Sequence, residues 1–228
     1  MESKRLLGSM KRKTSQGVSV FLKQKLAILI ARGSRLVFIT LIYPVEPEAA
    51  NHQSTRYGNG FHYAFYDSSV NSTHEQYFNL ARTYWNQSPK VGIGRTYSRT
   101  AYTDKYSVAS GDINTLVLGE VFPGYYDTAG VAKYNIGMDD KWDFVNLVLY
   151  TNTMEYAGGS SYSLSTASHV AAHEVGHTVK QKHPPSNISL NQSVVQTGYT
   201  FNNLPVIPGG SGNVQITTYD LNSVNSKF

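Results

Sequence analysis

The chain has 228 residues, a formal net charge of +5 and no cysteine. The absence of cysteine excludes disulfides, thiolate zinc sites and a cysteine nucleophile. The length suits one domain, and the 40% apolar and 12% aromatic content favours a folded core over a disordered chain.

The positive charge lies at the N-terminus. Residues 1–36 hold nine basic residues and one acid, which leaves 11 basic and 14 acidic residues, a net of −3, for residues 37–228. A nucleic-acid-binding face on the body is therefore disfavoured, because such a face needs clustered cations to displace the counterions of phosphate.

Residues 1–50 run from basic to apolar to small residues, an order that resembles a secretory signal. We predict a signal peptide or membrane-anchor leader over 1–50 and hence a secreted protein; the alternative is a protein anchored to the membrane through residues 26–45. The fit is imperfect because Arg32 and Arg35 interrupt the apolar region and are costly to insert into a bilayer. Met10 is an alternative start, and a cationic surface helix is an alternative structure for the segment.

The body alternates strand and helix patterns. Phe61–Tyr66 alternates and reads as a strand, and Ser72-Thr73-His74-Glu75 matches a capping box that opens a helix ending before Pro89. A second helix is predicted over about 165–180. The last 45 residues are rich in Asn, Ser, Gly and Pro and predict loops with a loosely held end. Four further strands are predicted at 91–96, 114–121, 130–135 and 144–151.

The second helix carries the most informative motif, His173-Glu174-Val175-Gly176-His177. On a helix, positions i and i+4 point the same way one turn apart, so His173 and His177 can bind one Zn²⁺. Glu174 is then placed to take a proton from water at the metal. A helix with surface histidines is the simpler alternative.

His183 is a candidate third ligand only if the chain leaves the helix. A continuous helix would carry it about 15 Å along the axis and roughly 80° around from His173. Pro184 disfavours the helical conformation at His183, so we expect the chain to turn back between His177 and His183. Three imidazoles would leave a fourth position open for water, as in catalytic zinc sites.

Residues around the motif are compatible with this site. A stripe of Ala171, Val175 and Val179 lies roughly opposite the histidines, so we expect the helix to face a core on one side and a cleft on the other. We expect His169 to lie behind the ligands or on the surface, because a fourth protein ligand would remove the open position. Asp220 is an alternative aspartate ligand.

The spacing His173-Glu174-x-x-His177-x₅-His183 resembles that of the metzincin metallopeptidases, and the order of elements resembles their matrixin-like catalytic domain. The resemblance covers roughly residues 57–200. It implies an α+β zincin-like fold with a twisted mixed sheet, a long helix and a zinc-binding active-site helix. It also implies His173, His177 and His183 as ligands, Glu174 as general base, and a peptide bound along an edge strand, by position residues 130–135.

This chain departs from the family at two positions. Lys180 stands where the family usually has a glycine that breaks the helix, so either the lysine adopts a left-handed conformation at a cost of about 1 kcal/mol or the turn falls elsewhere. No methionine follows Met154, and Val195 is expected in place of the methionine beneath the zinc. Tyr199 is a candidate substrate contact.

We therefore predict a zinc-dependent endopeptidase domain over 51–204 with a low-charge tail over 205–228. Calcium is a further candidate cofactor by resemblance, although Asp139, Asp140 and Asp143 form no recognisable calcium-loop spacing. We expect a monomer that acts on peptide or protein substrates, binds no nucleic acid, and meets a membrane only through the leader if the leader is retained.

Two alternatives to this function remain open. One is a degenerate metzincin-like domain that binds peptide or protein without efficient catalysis, motivated by the lysine at 180 and the missing methionine. The other is a basic nucleic-acid or membrane-surface protein, which rests only on residues 1–36.

Overall fold

A computed structural model describes residues 60–134, 136–137, 140–197 and 214–228. The described residues form an α+β fold around a six-stranded mixed sheet with the strand order β2-β1-β3-β6-β4-β5. Strands β2, β1, β3 and β6 run parallel, whereas β4 is antiparallel to both β6 and β5. The strands are β1 Phe61–Tyr66, β2 Gly92–Thr96, β3 Asp104–Ala109, β4 Gly119–Tyr126, β5 Ala132–Tyr134 and β6 Phe144–Tyr150.

Four α-helices accompany the sheet in this part of the chain: α1 Ser72–Trp85, α2 Thr151–Gly158, α3 Leu164–Thr178 and α4 Thr218–Asn225. Helices α1 and α3 pack against each other, and Trp85 of α1 is fully buried at their contact. Its indole Nε1 donates a hydrogen bond to the carbonyl of Ala172 at 2.8 Å. Because Ala172 precedes the motif histidine, this bond fixes the long helix to the part of α3 that carries the candidate ligands.

Both predicted helices are present, with capping chemistry that sets their starts. Helix α1 is capped by Asn71, one residue before the predicted box, and its side chain accepts from the amides of Thr73 and His74. Helix α3 begins after a capping box formed by Ser163 and Thr166. These side chains satisfy backbone donors that have no partner inside the helix.

The strand predicted at 114–121 is wrong in its first half. Asp112 accepts from the amide of Asn114 at 2.9 Å, and Leu116 has a φ of +53°, so this stretch is a turn and β4 starts only at Gly119. The sequence pattern also missed β3, which opens with a charged residue. Asp104 is nevertheless buried, because it accepts from the amide of Val145 at 2.7 Å and lies 3.2 Å from Nε2 of His62.

The expected loose C-terminal end is wrong for residues 214–228, which contain α4. Thr217 caps this helix by accepting from the amide of Asp220, and Val224 packs into the core. The helix was not predicted because the segment is mostly polar, although Thr217-x-x-Asp220 is a pattern typical of a helix N-terminus. The division of the chain at residues 204 and 205 stays a prediction.

No helix in the described part of the chain is long and apolar enough to cross a membrane. The predicted leader over 1–50, including the anchor segment 26–45, lies outside the described residues.

Strand β2 lies at one edge of the sheet, and side chains from the C-terminal end of α1 and from its capping residue Asn86 cover part of that edge. The amide of Asn86 accepts from the backbone N–H of Ile93 at 2.7 Å and donates to the carbonyl of the same residue at 3.2 Å. Arg82 Nε donates to that carbonyl as well, at 2.9 Å. These bonds satisfy edge groups that would otherwise be open to another strand.

We expect Asn86→Ala to lower the free energy of unfolding by about 1–2 kcal/mol, since the backbone N–H of Ile93 loses its partner and the carbonyl of Ile93 keeps only the bond from Arg82. Urea unfolding followed by circular dichroism would measure the change. Asn187→Ala, at an exposed loop position, is the matched control and should leave stability unchanged. Equal stability of the two variants would contradict this account of the edge.

Candidate metal centre

The three histidines predicted as ligands lie together. One ring nitrogen from each of His173, His177 and His183 lies within 4.8 Å of the others, and the ring centroids are 4.9–5.1 Å apart. Nε2 of His173 is 3.1 Å from Nε2 of His183. Among the described residues this is the one cluster of three or more potential metal ligands.

The chain returns to the site through a left-handed turn at the end of α3. Lys180 has a φ of +60°. Its amide bonds to the carbonyl of His177 at 3.0 Å, and the amide of Gln181 bonds to the carbonyl of Gly176 at 2.9 Å. This pair of bonds is a Schellman motif, the arrangement usually completed by glycine. The sequence left two alternatives, a left-handed lysine at 180 or a turn elsewhere in the chain. The first is correct, because Lys180 itself adopts the left-handed conformation.

Backbone carbonyls fix the orientation of both helical histidines. Nδ1 of His173 lies 3.0 Å from the carbonyl oxygen of Val194, and Nδ1 of His177 lies 2.7 Å from that of Gln181. Because a carbonyl can only accept, each Nδ1 carries the proton in a neutral ring. The lone pair is then on Nε2, the atom available to a metal.

Burial keeps the three imidazoles neutral. It lowers the pKa of His177 to about 3 and that of His183 to about 4, and it lowers the pKa of His173 well below the ordinary value. Repulsion between neighbouring histidines adds to the shift at His173 and His177. Neutral imidazole is the form that binds metal, so the residues are ready as ligands at neutral pH without losing protons.

The donor set fits a zinc ion. Zinc–nitrogen bonds of 2.0–2.1 Å in a tetrahedron place two ligand nitrogens about 3.3 Å apart. The 3.1 Å between the Nε2 atoms of His173 and His183 is close to that value. Three nitrogen ligands are also the number that leaves one coordination position open.

Glu174 lies against the sheet rather than in solvent. Its side chain is fully buried. A Cβ built on Gly119 of β4 would lie 2.7 Å from its Cγ and 3.0 Å from its Oε1. Only a glycine at 119 allows this approach, so the first residue of β4 fixes where the carboxylate can lie.

A turn supports the helix beneath the histidines. Val195 is 1% exposed and packs on Gly176, where an added Cβ would lie 2.5 Å from Cγ1 of Val195 and 2.6 Å from the indole of Trp85. Val194 supplies the carbonyl that holds His173. The segment thus packs an apolar side chain against α3 and supplies an acceptor for His173. That Val195 lies beneath a zinc ion, in place of the family's methionine, stays a prediction.

Asp220 holds that turn and is not part of the three-histidine cluster. Its fully buried carboxylate accepts from Ser193 Oγ at 2.6 Å, from the hydroxyl of Tyr84 at 2.6 Å and from the amide of Val194 at 2.9 Å. Burial raises the pKa of Asp220, although these hydrogen bonds oppose the shift. The alternative of Asp220 as a metal ligand is therefore wrong, and its carboxylate instead acts through the backbone of Val194.

The zinc-motif helix is buried on all sides, which corrects the prediction of one core face and one cleft face. Residues 166–178 are all buried, including His173 at 0% and His177 at 2% exposure. His169 is 1% exposed, so the surface position considered for it is wrong. It lies outside the three-histidine cluster and contributes to lowering the pKa of His173.

Sequence reasoning did not identify the groups that orient the ligands. The carbonyls of Val194 and Gln181 leave no trace in a motif search, because every residue has a carbonyl. Asp220 was detectable through its capping pattern with Thr217, but its contact with a turn 26 residues earlier was not. The candidate substrate contact Tyr199 lies outside the described residues.

Comparison with known proteins adds little. No family model and no curated protein matches the chain. Two solved structures of myroilysin are similar at 12% and 13% identity, with TM-scores of 0.41 and 0.36. The matches cover 75% and 79% of this chain and 80% and 88% of those chains. Such a distant likeness does not identify a function, so the function must be argued from the site.

We expect Asp220→Asn to lower the free energy of unfolding by about 1–3 kcal/mol, because an amide cannot accept all three hydrogen bonds. Zinc affinity should fall roughly tenfold as Val194 releases His173. Urea unfolding and chelator competition would measure the two effects. Asn222→Ala, on the exposed side of the same helix, is the control. Unchanged zinc affinity in Asp220→Asn would refute the link from the carboxylate to the histidine.

The lowered histidine pKa values also predict a pH dependence of stability. In the unfolded chain these rings take up protons below a pH of about 6.5, whereas the folded, metal-free protein resists protonation down to the lower pKa values. The free energy of unfolding of the metal-free protein should therefore fall as the pH falls from about 6.5 towards 4. Urea titrations at several pH values would show it. His183→Ala should reduce the slope by up to one proton, and an unchanged slope would count against this assignment.

Proposed function

We propose that the protein is a zinc-dependent endopeptidase with a metzincin-like active site. The observation that carries the proposal is the convergence of three neutral imidazoles, those of His173 and His177 buried and that of His183 partly buried, on the helix that also carries the buried Glu174. Three nitrogen donors with an acid one residue after the first match the requirements of a hydrolytic zinc centre. The α+β fold with a mixed sheet above such a helix is consistent with a zincin-like domain.

The histidines would act as the ligands. His173, His177 and His183 present Nε2 or an equivalent ring nitrogen to a common point, with two of the rings held by backbone carbonyls. Zinc held there would supply a Lewis acid that lowers the pKa of water and polarises a peptide carbonyl. The buried surroundings strengthen these electrostatic effects, because water is largely excluded from the ligands.

Glu174 would act as the general base and then as the general acid. It would take a proton from the attacking water and deliver it to the nitrogen of the departing amine, so that the peptide bond breaks with its charges balanced. The close approach of its side chain to Gly119 is compatible with this role, because β4 limits the space into which the carboxylate can move.

The substrate strand is better placed along β4 than along β5. Strand β5 is the edge strand that replaces the predicted 130–135, but it pairs only with Gly124–Tyr126 of β4. Gly119, which touches the general base, is five residues earlier, roughly 16 Å along the strand. A peptide that reaches the metal would therefore run beside the first half of β4, adding a strand to the sheet.

The remaining expectations are extensions of this proposal. Secretion, with residues 1–50 as signal or anchor, would bring the enzyme to extracellular peptide or protein substrates as a monomer. Calcium would be a further bound ion, and Tyr199 would contact the substrate. None of these extensions is needed for the metal chemistry itself.

The decisive variant is Glu174→Gln, which preserves the shape of the side chain and removes its basicity. We expect one zinc per chain in both proteins, and loss of hydrolysis of casein or a quenched peptide library by about 100-fold or more. Glu155→Gln, at an exposed position on α2, is the matched control and should retain activity. Gly119→Ala should also lower activity while zinc is retained, because its methyl group displaces Glu174.

The results of three measurements separate the three hypotheses about function. Activity that persists in Glu174→Gln, or that a chelator leaves unchanged, would end the peptidase proposal. Full zinc occupancy with no hydrolysis of any peptide by the unaltered protein would instead favour the degenerate, peptide-binding domain. Salt-sensitive binding of DNA or anionic vesicles by a 51–228 fragment would revive the third alternative.

A further inference from the structure

Lys180 occupies a backbone position that ordinarily selects glycine. Its φ of +60° lies in the left-handed region, which costs a residue with a Cβ about 1 kcal/mol or more relative to the ordinary helix. A lysine persists in such a conformation only when its surroundings favour it. The contacts of its side chain are therefore informative.

The side chain of Lys180 is fixed inside the protein. The residue is 2% exposed, although lysine is rarely buried without compensating partners. Its Nζ lies 3.7 Å from the centroid of the Trp142 ring and donates a hydrogen bond to the carbonyl of Asp140 at 2.6 Å. An ammonium over the face of an indole is a favourable cation–π arrangement, and it is stronger when shielded from water.

The backbone next to Lys180 orients a candidate ligand. The left-handed turn directs the carbonyl of Gln181 back to Nδ1 of His177, at 2.7 Å. The same turn sends the chain towards His183, three residues later. A different conformation at 180 would move the acceptor away from His177 and change the path to His183 together.

We propose that Lys180 is a positioning residue for the metal centre. Held between the ring of Trp142 and the carbonyl of Asp140, its side chain fixes the turn that orients His177 and places His183. The lysine side chain connects the segment before β6 to the C-terminal end of α3, a contact that glycine cannot make because it has no side chain. For zinc binding the inference rests on the proposed function, whereas the orientation of His177 does not require a metal.

Glycine and lysine meet the demands of this turn in different ways. Glycine enters the left-handed region without strain but also populates many other conformations. Lysine bears the strain, and its anchored side chain selects one conformation. If the anchor positions the ligands, Lys180→Gly should weaken the site even though it removes the strain.

The first test measures zinc affinity of the full chain by competition with a chromogenic chelator. We expect Lys180→Met and Trp142→Leu each to weaken binding roughly tenfold, and the double variant to lose no more than the larger single loss, because both remove one interaction. Lys180→Gly should also bind more weakly than the unaltered protein. Lys180→Arg, whose guanidinium can stack on the same ring, should bind zinc with an affinity within about threefold of that of the unaltered protein.

The control is Lys141→Met, an exposed lysine beside Trp142, which should bind zinc as the unaltered protein does. Additive losses in the double variant, or undiminished affinity in Lys180→Gly and Lys180→Met, would overturn the proposal. Thermal unfolding of each variant separates a loss of ligand position from a general loss of folding.

The second test uses the metal-free protein and reads the imidazole of His177 by nitrogen-15 NMR. The unaltered protein should show one tautomer with the proton on Nδ1, whereas Lys180→Met and Lys180→Gly should show a mixture. A single tautomer in both variants would overturn the proposal. This reading remains valid if the protein binds no zinc, an outcome that would defeat the proposed function and still decide the role of Lys180.

Discussion

The candidate metal centre depends on one constraint. His173 and His177, one turn apart on a helix, must both present Nε2 to the same point if they are to bind one ion. A free imidazole exchanges its proton between two nitrogens and rotates, so spacing alone does not create a site. The carbonyls of Val194 and Gln181 remove both freedoms by binding the Nδ1 protons. Each carbonyl comes from a segment that follows the helix in sequence and folds back beneath it, so the ligands are oriented by chain that the motif does not include.

This dependence explains why so much of the polar core converges on the segment after the helix. The buried carboxylate of Asp220 brings together the hydroxyl of Tyr84, Ser193 and the amide of Val194, and so joins α1, α4 and the turn. Trp85 ties α1 to the carbonyl before His173. A buried network of this kind is stable only when every member is satisfied. The bonds of Asp220 and Trp85 therefore hold the fold and also hold the backbone groups next to His173.

The sequence was sufficient for the parts of the molecule that local periodicity determines. It placed β1, β6 and both main helices, and helical geometry brought His173 and His177 together. It failed where tertiary contacts override local pattern: β3 begins with Asp104, which is stabilised only by Val145 and His62 across the sheet. The burial of every face of α3 from Thr166 onwards was also not predicted, because a helix with histidines and a glutamate on one face looks amphipathic until its partners are known.

Positions 119 and 180 show that side-chain volume and backbone conformation restrict the choice of residue separately. Gly119 is required by volume rather than by conformation, since a Cβ there would collide with Glu174. Lys180 stands where conformation alone would select glycine, and its buried contacts with Trp142 and Asp140 offset the strain. A lysine at a left-handed position is therefore not by itself a sign of a distorted turn. What matters is whether its side chain has partners inside the protein, and Lys180 has them.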